Sequence, residues 1–233
     1  MWFNKKKISD SAISAYRQSL LRKFPHHIVI DNLFEAGKLN EVIKVLEQPQ
    51  YWKTQQHTYS ELYVNQDQWQ KASAKERFVQ RDSWHGKSSQ YQAVVPNIAY
   101  EFLKFLRSDD FMSVLSKIFN IDITDINVDK PEINTNFFRL GSQDFVEQHA
   151  DDSPGREICL LLYLNKNWQQ DSGGELVFIG EHDSHISIAP LFNRCVLFDP
   201  ASTGSEHWVN KVNPLNSTNN RYRFNVTSWY WSE

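Results

Sequence analysis

The sequence predicts a mainly β fold with flanking α-helices, of the sandwich or jelly-roll type. Three observations carry this. From Ile126 onward, short apolar runs alternate with Gly, Pro, Asn and Asp clusters at strand-like intervals. Upstream, several segments place their apolar residues at helical spacing instead. The 233 residues, 40% hydrophobic and 14% aromatic, suffice for one well-filled core.

Taken in order, residues 9–21 form a short polar helix and 24–30 a strand entering the domain. Residues 36–46 read as a helix through Leu39, Val42, Ile43 and Leu46. Residues 96–106 form a second, with Pro96 suited to a first turn and Ile98, Phe102 and Phe105 apolar. Residues 110–119 form a third, with Phe111, Val114, Leu115 and Ile118 on one face and Asp109 or Asp110 as cap. These helices are expected to buttress one face of a sheet. Eight strands follow, at 134–140, 145–150, 158–164, 175–179, 185–189, 194–198, 206–211 and 222–231. Gly173-Gly174 forms a turn, Pro190 and Pro200 punctuate, and 214–220 is a loop. Residues 50–95 are rich in Gln, Ser, Tyr and Trp and have no clear period. They either cover a substrate or form a surface layer whose tryptophans pack on the helices.

The chemistry is concentrated in the β half. His149, Asp151 and His207 provide two imidazoles and one carboxylate, the set that holds non-haem Fe(II) with open coordination positions. On one strand, residues two apart point the same way, so His149 and Asp151 are expected to share a metal from a single strand. His207 arrives from a later strand across a barrel or sandwich interior. A carboxylate at the second position, where a small residue would leave room for a halide, favours hydroxylation over halogenation. Taken alone, His-x-Asp is common, and the Asp-Asp-Ser-Pro-Gly run from Asp151 also reads as a turn. The ordered set carries the reading, closed by a cation near the C-terminus suited to the far carboxylate of a chelating keto-acid. Both Arg221 and Arg223 share the strand face of Asn225 and Thr227, so face alone does not choose between them.

From about residue 133 to 231 the chain resembles the prolyl 4-hydroxylase-like 2-oxoglutarate/Fe(II) oxygenases, especially the intracellular protein prolyl hydroxylases. The matching pieces stand in order. Phe-Phe-Arg-Leu-Gly at 137–141 precedes His149-Ala-Asp151. The run from Tyr163 to Trp168 follows, then Gly173-Gly174-Glu-Leu176, His207-Trp-Val-Asn-Lys-Val212, and Arg223 through Trp229. The resemblance implies a double-stranded β-helix (jelly roll) with Fe(II) in its mouth and 2-oxoglutarate as cosubstrate, ascorbate being a candidate stimulant. Carried over residue by residue, it makes His149, Asp151 and His207 the catalytic iron ligands. Arg223, by its spacing to Trp229, pairs with the distal carboxylate of 2-oxoglutarate, Tyr163 hydrogen-bonds the same carboxylate, and Leu176 packs on the cosubstrate chain. The segment between His207 and Arg223 is longer than the family's short turn.

The expectation is a single dioxygenase domain, 1–233. Residues 1–125 supply helical support and a candidate substrate cover, and 126–233 form the catalytic core. The substrate expected first is a prolyl residue of a peptide or protein, with molecular oxygen as co-reactant. The alternatives are a free amino acid or small metabolite, and a non-enzymatic metal-binding module. A net charge of −3 and only the short Lys5–Lys7 run argue against nucleic acid. No apolar run is long enough for a membrane helix. Cys159 and Cys195, both in apolar strand segments, read as buried free thiols. With no signal-like start, the expected compartment is the cytoplasm. Glu147 and Arg139 are candidate mouth residues, Asn225 and Thr227 candidate supporting donors, and His182 and His185 the ends of a hairpin turn.

Overall fold

The computed structural model describes residues 1–86, 97–126, 128, 131–214 and 222–232. Pro96, Arg221 and residues 215–220 of the expected loop lie outside them.

The described α-helices are α1 (Asp10–Leu20), α2 (Ala36–Leu46), α3 (Gln66–Lys71), α4 (Ile98–Leu106) and α5 (Asp109–Phe119). All of them except α3 form where the sequence predicts. Helix α2 buries Leu39, Val42, Ile43 and Leu46, one stripe of its surface. Serine begins two of the helices: Ser9 Oγ accepts from the Ala12 N–H and Ser108 Oγ from the Phe111 N–H. The expected cap of α5 is thereby corrected. Asp109 and Asp110 lie in its first turn, where their charge faces the helix dipole.

Among the described residues, eleven strands share one sheet: β1 (His27–Asp31), β2 (Trp52–Thr58), β3 (Arg77–Trp84), β4 (Thr135–Leu140), β5 (Phe145–His149), β6 (Arg156–Tyr163), β7 (Leu176–Phe178), β8 (Ile186–Ile188), β9 (Arg194–Phe198), β10 (His207–Val209) and β11 (Arg223–Trp231). Their order is β1-β9-β6-β11-β4-β3-β5-β10-β7-β8, with β2 paired to β3. All eight expected strands of the second half are present. Residues 50–95, which had no readable period, contribute β2, α3 and β3. The β2–β3 hairpin is part of the main sheet and joins its two arms.

The packing shows how this sheet folds over. Tyr163, Leu161 and Cys159 of β6 and Val196 and Phe198 of β9 cluster with Leu176 and Phe178 of β7 and Ile188 of β8. These strands are distant in the sheet order, so the arms face each other across an apolar interior, as in a jelly roll. Alternate residues of β6, Ile158, Leu160 and Leu162, point the other way. They join Phe102, Phe111 and Leu115 of the helices in a larger core. The helices thus back one arm and leave the interior between the arms to the site. Both cysteines are buried free thiols. No described helix is long and apolar enough to cross a membrane.

Candidate metal centre and cosubstrate pocket

His149 ends β5 and His207 begins β10, and the two are cross-strand partners. Their rings lie 4.4 Å apart between centroids. Asp151 departs from the expectation: it lies beyond the end of β5 rather than on the strand with His149. It still reaches the same point, because Trp229 and Arg156 hold it there. Trp229 Nε1 donates to Asp151 Oδ2 at 3.0 Å, and Arg156 Nη1 donates to the Asp151 carbonyl. Asp151 Oδ1 lies 3.8 Å from His149 Nε2, and Oδ2 lies 3.7 Å from His207 Nε2. The three ligand atoms all fall within 4.8 Å of one another, the only such group of three among the described residues.

The tautomers are set by the backbone. His149 Nδ1 lies 2.9 Å from the Glu147 carbonyl and His207 Nδ1 lies 2.9 Å from the Ser205 carbonyl. A carbonyl can only accept, so each Nδ1 carries the proton and each Nε2 presents its lone pair to the shared point. Burial lowers the His207 pKa to about 4, and the neighbouring His149 pushes the same way. His207 is therefore neutral near pH 7. Burial pushes Asp151 up, but His149, His207, Trp229 and Arg156 outweigh it and hold the carboxyl below its usual range. A carboxylate and two imidazole lone pairs converge, as a divalent cation requires.

Behind the triad a cavity of about 40 Å³ is lined by Leu176, Arg223, Asn225 and Thr227 as well as by the three ligands. Arg223 is 1% exposed. Its Nε donates to the Gly174 carbonyl at 2.6 Å and its Nη1 to Asn225 Oδ1 at 2.8 Å, while Asn225 Nδ2 donates to Thr227 Oγ1 at 2.9 Å. Asn225 and Thr227 therefore support Arg223 rather than a metal ligand. Arg223 Nη2 and the Tyr163 hydroxyl are buried, lie beside each other and meet no other hydrogen-bond partner. The guanidinium lies 4.9 Å from the Tyr163 ring centroid. Burial pushes the Tyr163 phenol up to about 12 even with Arg223 beside it, so the phenol keeps its proton. Gly174, at φ +76°, lets the chain approach Arg223; a Cβ there would lie 3.0 Å from Arg223 Cδ.

In front of the triad a cavity of about 660 Å³ opens to solvent. His57 and Arg81 of the unforeseen hairpin line it, together with Tyr59, Phe78, Arg156 and Trp229. Sequence reasoning singled out neither the hairpin residues nor Arg156; the one signal for the former was the polar-aromatic composition of 50–95. Arg139, a candidate mouth residue, is elsewhere: it pairs with Asp82 at 2.9 Å between the rings of Trp52 and Tyr222. Glu147 does not line this cavity, whereas Glu206 does, accepting from Gln148 Nε2 at 2.6 Å. His182 lies in the turn between β7 and β8 and His185 just before β8, as expected.

Residues 135–231 match the model of the 2OG-Fe(II) oxygenase superfamily. A curated relative, prolyl 3-hydroxylase OGFOD1 of Mus musculus, is 29% identical over 136 residues, 55% of this chain and 23% of that protein, so the matched stretch spans about a quarter of its length. Two solved structures share the fold. A Pseudomonas putida prolyl-4-hydroxylase is 15% identical, over 95% of this chain and 99% of that one, with a TM-score of 0.62. A Trichoplax adhaerens prolyl hydroxylase, in complex with a peptide fragment of the hypoxia inducible factor oxygen degradation domain, is 19% identical, over 98% and 91%, with a TM-score of 0.63.

The residues fit both groups that the family uses. The His149–Asp151–His207 donor set suits Fe(II), and the under-satisfied Arg223 Nη2 and Tyr163 hydroxyl suit the carboxylate of 2-oxoglutarate. Residues 135–231 are thus similar in sequence to the 2OG-Fe(II) oxygenase superfamily, and the fold and the His149–Asp151–His207 donor set agree with that similarity.

Proposed function

We propose that this protein is an Fe(II)/2-oxoglutarate-dependent dioxygenase that hydroxylates a prolyl residue of a peptide or protein. In this reading His149, Asp151 and His207 hold the iron. Arg223 and Tyr163 bind the distal carboxylate of 2-oxoglutarate, and Leu176 packs against its methylenes. When bound, the two groups supply the oxidising power: dioxygen is reduced as 2-oxoglutarate becomes succinate and carbon dioxide, and one oxygen atom enters a C–H bond. The chain's residues provide the orientation. Two backbone carbonyls fix the imidazoles, Trp229 and Arg156 fix Asp151, and the Gly174 carbonyl and Asn225 fix Arg223.

One observation carries the choice of a polymeric substrate. The rim of the front cavity is apolar and open: Tyr59, Leu62, Tyr63 and Ile133 are each more than half exposed. Exposed apolar residues gathered around a cleft mark a surface that meets a partner, whereas a metabolite site would enclose them. Aromatic walls at Phe78 and Trp229 suit the flat, apolar face of a prolyl ring. The curated relative and the two structures named above are prolyl hydroxylases by their names, which supports the same choice. Arg223 Nη2 and Tyr163 Oη, buried with no partner beyond each other, argue against a purely structural module, which has no use for under-satisfied buried donors. Buried free thiols, and the supply of ferrous iron and 2-oxoglutarate there, support the cytoplasm as the place of work.

The test incubates Fe(II)-reconstituted protein with 2-oxoglutarate, ascorbate and proline-containing peptides, and seeks one added oxygen on proline by mass spectrometry. Product analysis reads the ring position. Turnover of free proline or another small molecule, with no peptide modified, would replace the polymeric substrate by a metabolite.

A further inference from the structure

The hairpin that joins the two arms of the sheet carries an ordered set of donors facing the front cavity. Gln55 pairs with Arg81 and His57 with Val79 across β2 and β3. Side chains alternate along a strand, so these four share one face, and the Gln56–Gln80 and Thr54–Asp82 hydrogen bonds occupy the other. On the cavity face, Arg81 Nε donates to Gln55 Oε1 at 3.0 Å, and its guanidinium lies 3.6 Å from the Phe138 ring centroid. The side chain is therefore held in one place. No carboxylate among the described residues lies within ion-pair distance of it. His57 is 5% exposed; its Nδ1 accepts from the Tyr63 N–H at 3.2 Å, so its proton sits on Nε2, which has no acceptor. Both residues line the cavity in front of the metal triad, and Arg81 also borders the small cavity behind it.

Arg81 is half-buried, and a cation held in one orientation in such a cleft is normally paired. The lining acids do not pair it. Asp151 is committed to the triad and Glu206 accepts from Gln148. Asp151 also has Arg156 Nη1 3.9 Å from its Oδ1, so its charge is shared among other cations.

We infer that Arg81, with His57 Nε2–H as second donor, binds a carboxylate of the substrate and so selects an acidic group next to the hydroxylated residue. This rests on the reading of the chain as a hydroxylase. A planar guanidinium accepts a carboxylate through two parallel hydrogen bonds, which fixes the distance from Arg81 to the anion and hence where the target carbon falls before the metal. The carboxylate is either an Asp or Glu side chain or a free C-terminus.

The test uses peptides with a central proline and randomised flanking residues, once amidated and once with free C-termini, with free L-proline as a third arm. Oxygen addition is read by mass spectrometry. The expected result is enrichment of Asp or Glu at one flanking position, or dependence on the free terminus, by about tenfold or more over the neutral counterpart. Arg81→Gln should lose this preference and Arg81→Lys keep part of it, each with unchanged 2-oxoglutarate affinity on the Mn(II)-loaded protein. That affinity also confirms that the variants fold. Peptide turnover without acid preference, or a preference that survives in Arg81→Gln, overturns the inference. So does a tenfold loss of 2-oxoglutarate affinity in Arg81→Gln (roughly the worth of one charged hydrogen bond), which would assign Arg81 to the cosubstrate. Failure of the wild type to modify any arm instead sinks the prolyl hydroxylase reading, and this inference with it.

Discussion

Arg223→Met removes the proposed cosubstrate anchor while nearly conserving volume, and its effect can be worked from the structure. The arginine is 1% exposed, with Nε and Nη1 tied to the Gly174 carbonyl and Asn225 and Nη2 meeting only the Tyr163 hydroxyl. Loss of one partner of a buried, hydrogen-bonded charge pair costs about 2–5 kcal/mol of binding. At 1.4 kcal/mol per decade, 2-oxoglutarate affinity should fall by roughly 30-fold to several thousandfold. The assay is thermal unfolding of Mn(II)-loaded protein with and without 2-oxoglutarate. At a hundredfold excess over its Kd, the ligand stabilises the wild type by about 2.7 kcal/mol. For a chain of this size that is a Tm rise of about 5–10 °C. The same concentration should stabilise Arg223→Met by less than ~1 kcal/mol, about 3 °C. Without ligand, the two proteins should differ little. Removal of a buried cation favours the variant, and the donors lost by Gly174 O and Asn225 Oδ1 favour the wild type. An undiminished 2-oxoglutarate shift in Arg223→Met would refute the assignment, and loss of that shift in Arg221→Met would transfer the role to the neighbouring arginine.

Further outcomes follow from the same geometry. Trp229→Phe removes the N–H that orients Asp151 Oδ2 and should weaken metal binding by about 10–100-fold, measured by Mn(II) titration. Gly174→Ala forces a Cβ into contact with Arg223 and Trp168 at a positive φ; a loss of about 1–2 kcal/mol in denaturant unfolding is expected, along with weaker 2-oxoglutarate binding. Burial lowers His57 to about 4 in the folded protein, against about 6.5 unfolded. Its folded form therefore binds fewer protons between those values, so metal-free stability is full above about pH 6.5 and declines as pH falls toward 4. His207, lowered to about 4, acts with the same sign. Denaturant unfolding at several pH values measures the decline, and His57→Gln should reduce it.

The legible part of this protein was the part whose burial follows one period. Helix α2 buries Leu39, Val42, Ile43 and Leu46, and β6 alternates between two apolar environments; both can be read from residue type alone. The convergence of the triad was legible because a metal donor set restricts residue type and order. The β2–β3 hairpin was not. One face carries Thr54, Gln56, Gln80 and Asp82 in side-chain pairs, and the other turns Gln55, His57 and Arg81 toward the site, so no apolar alternation marks either strand. Asp151 was placed on a strand because residues two apart suit one. It is held instead by Trp229, 78 positions away, and by Arg156, contacts that no local pattern encodes.

The most direct test of the central claim reconstitutes the protein with Fe(II) under anaerobic conditions, measures 2-oxoglutarate binding, then admits oxygen and follows succinate. Wild type should bind one Fe(II), bind 2-oxoglutarate and form succinate, and Asp151→Ala should retain its fold and lose the iron and the succinate. Wild type that binds neither Fe(II) nor 2-oxoglutarate, or succinate formation undiminished in Asp151→Ala, would contradict the account.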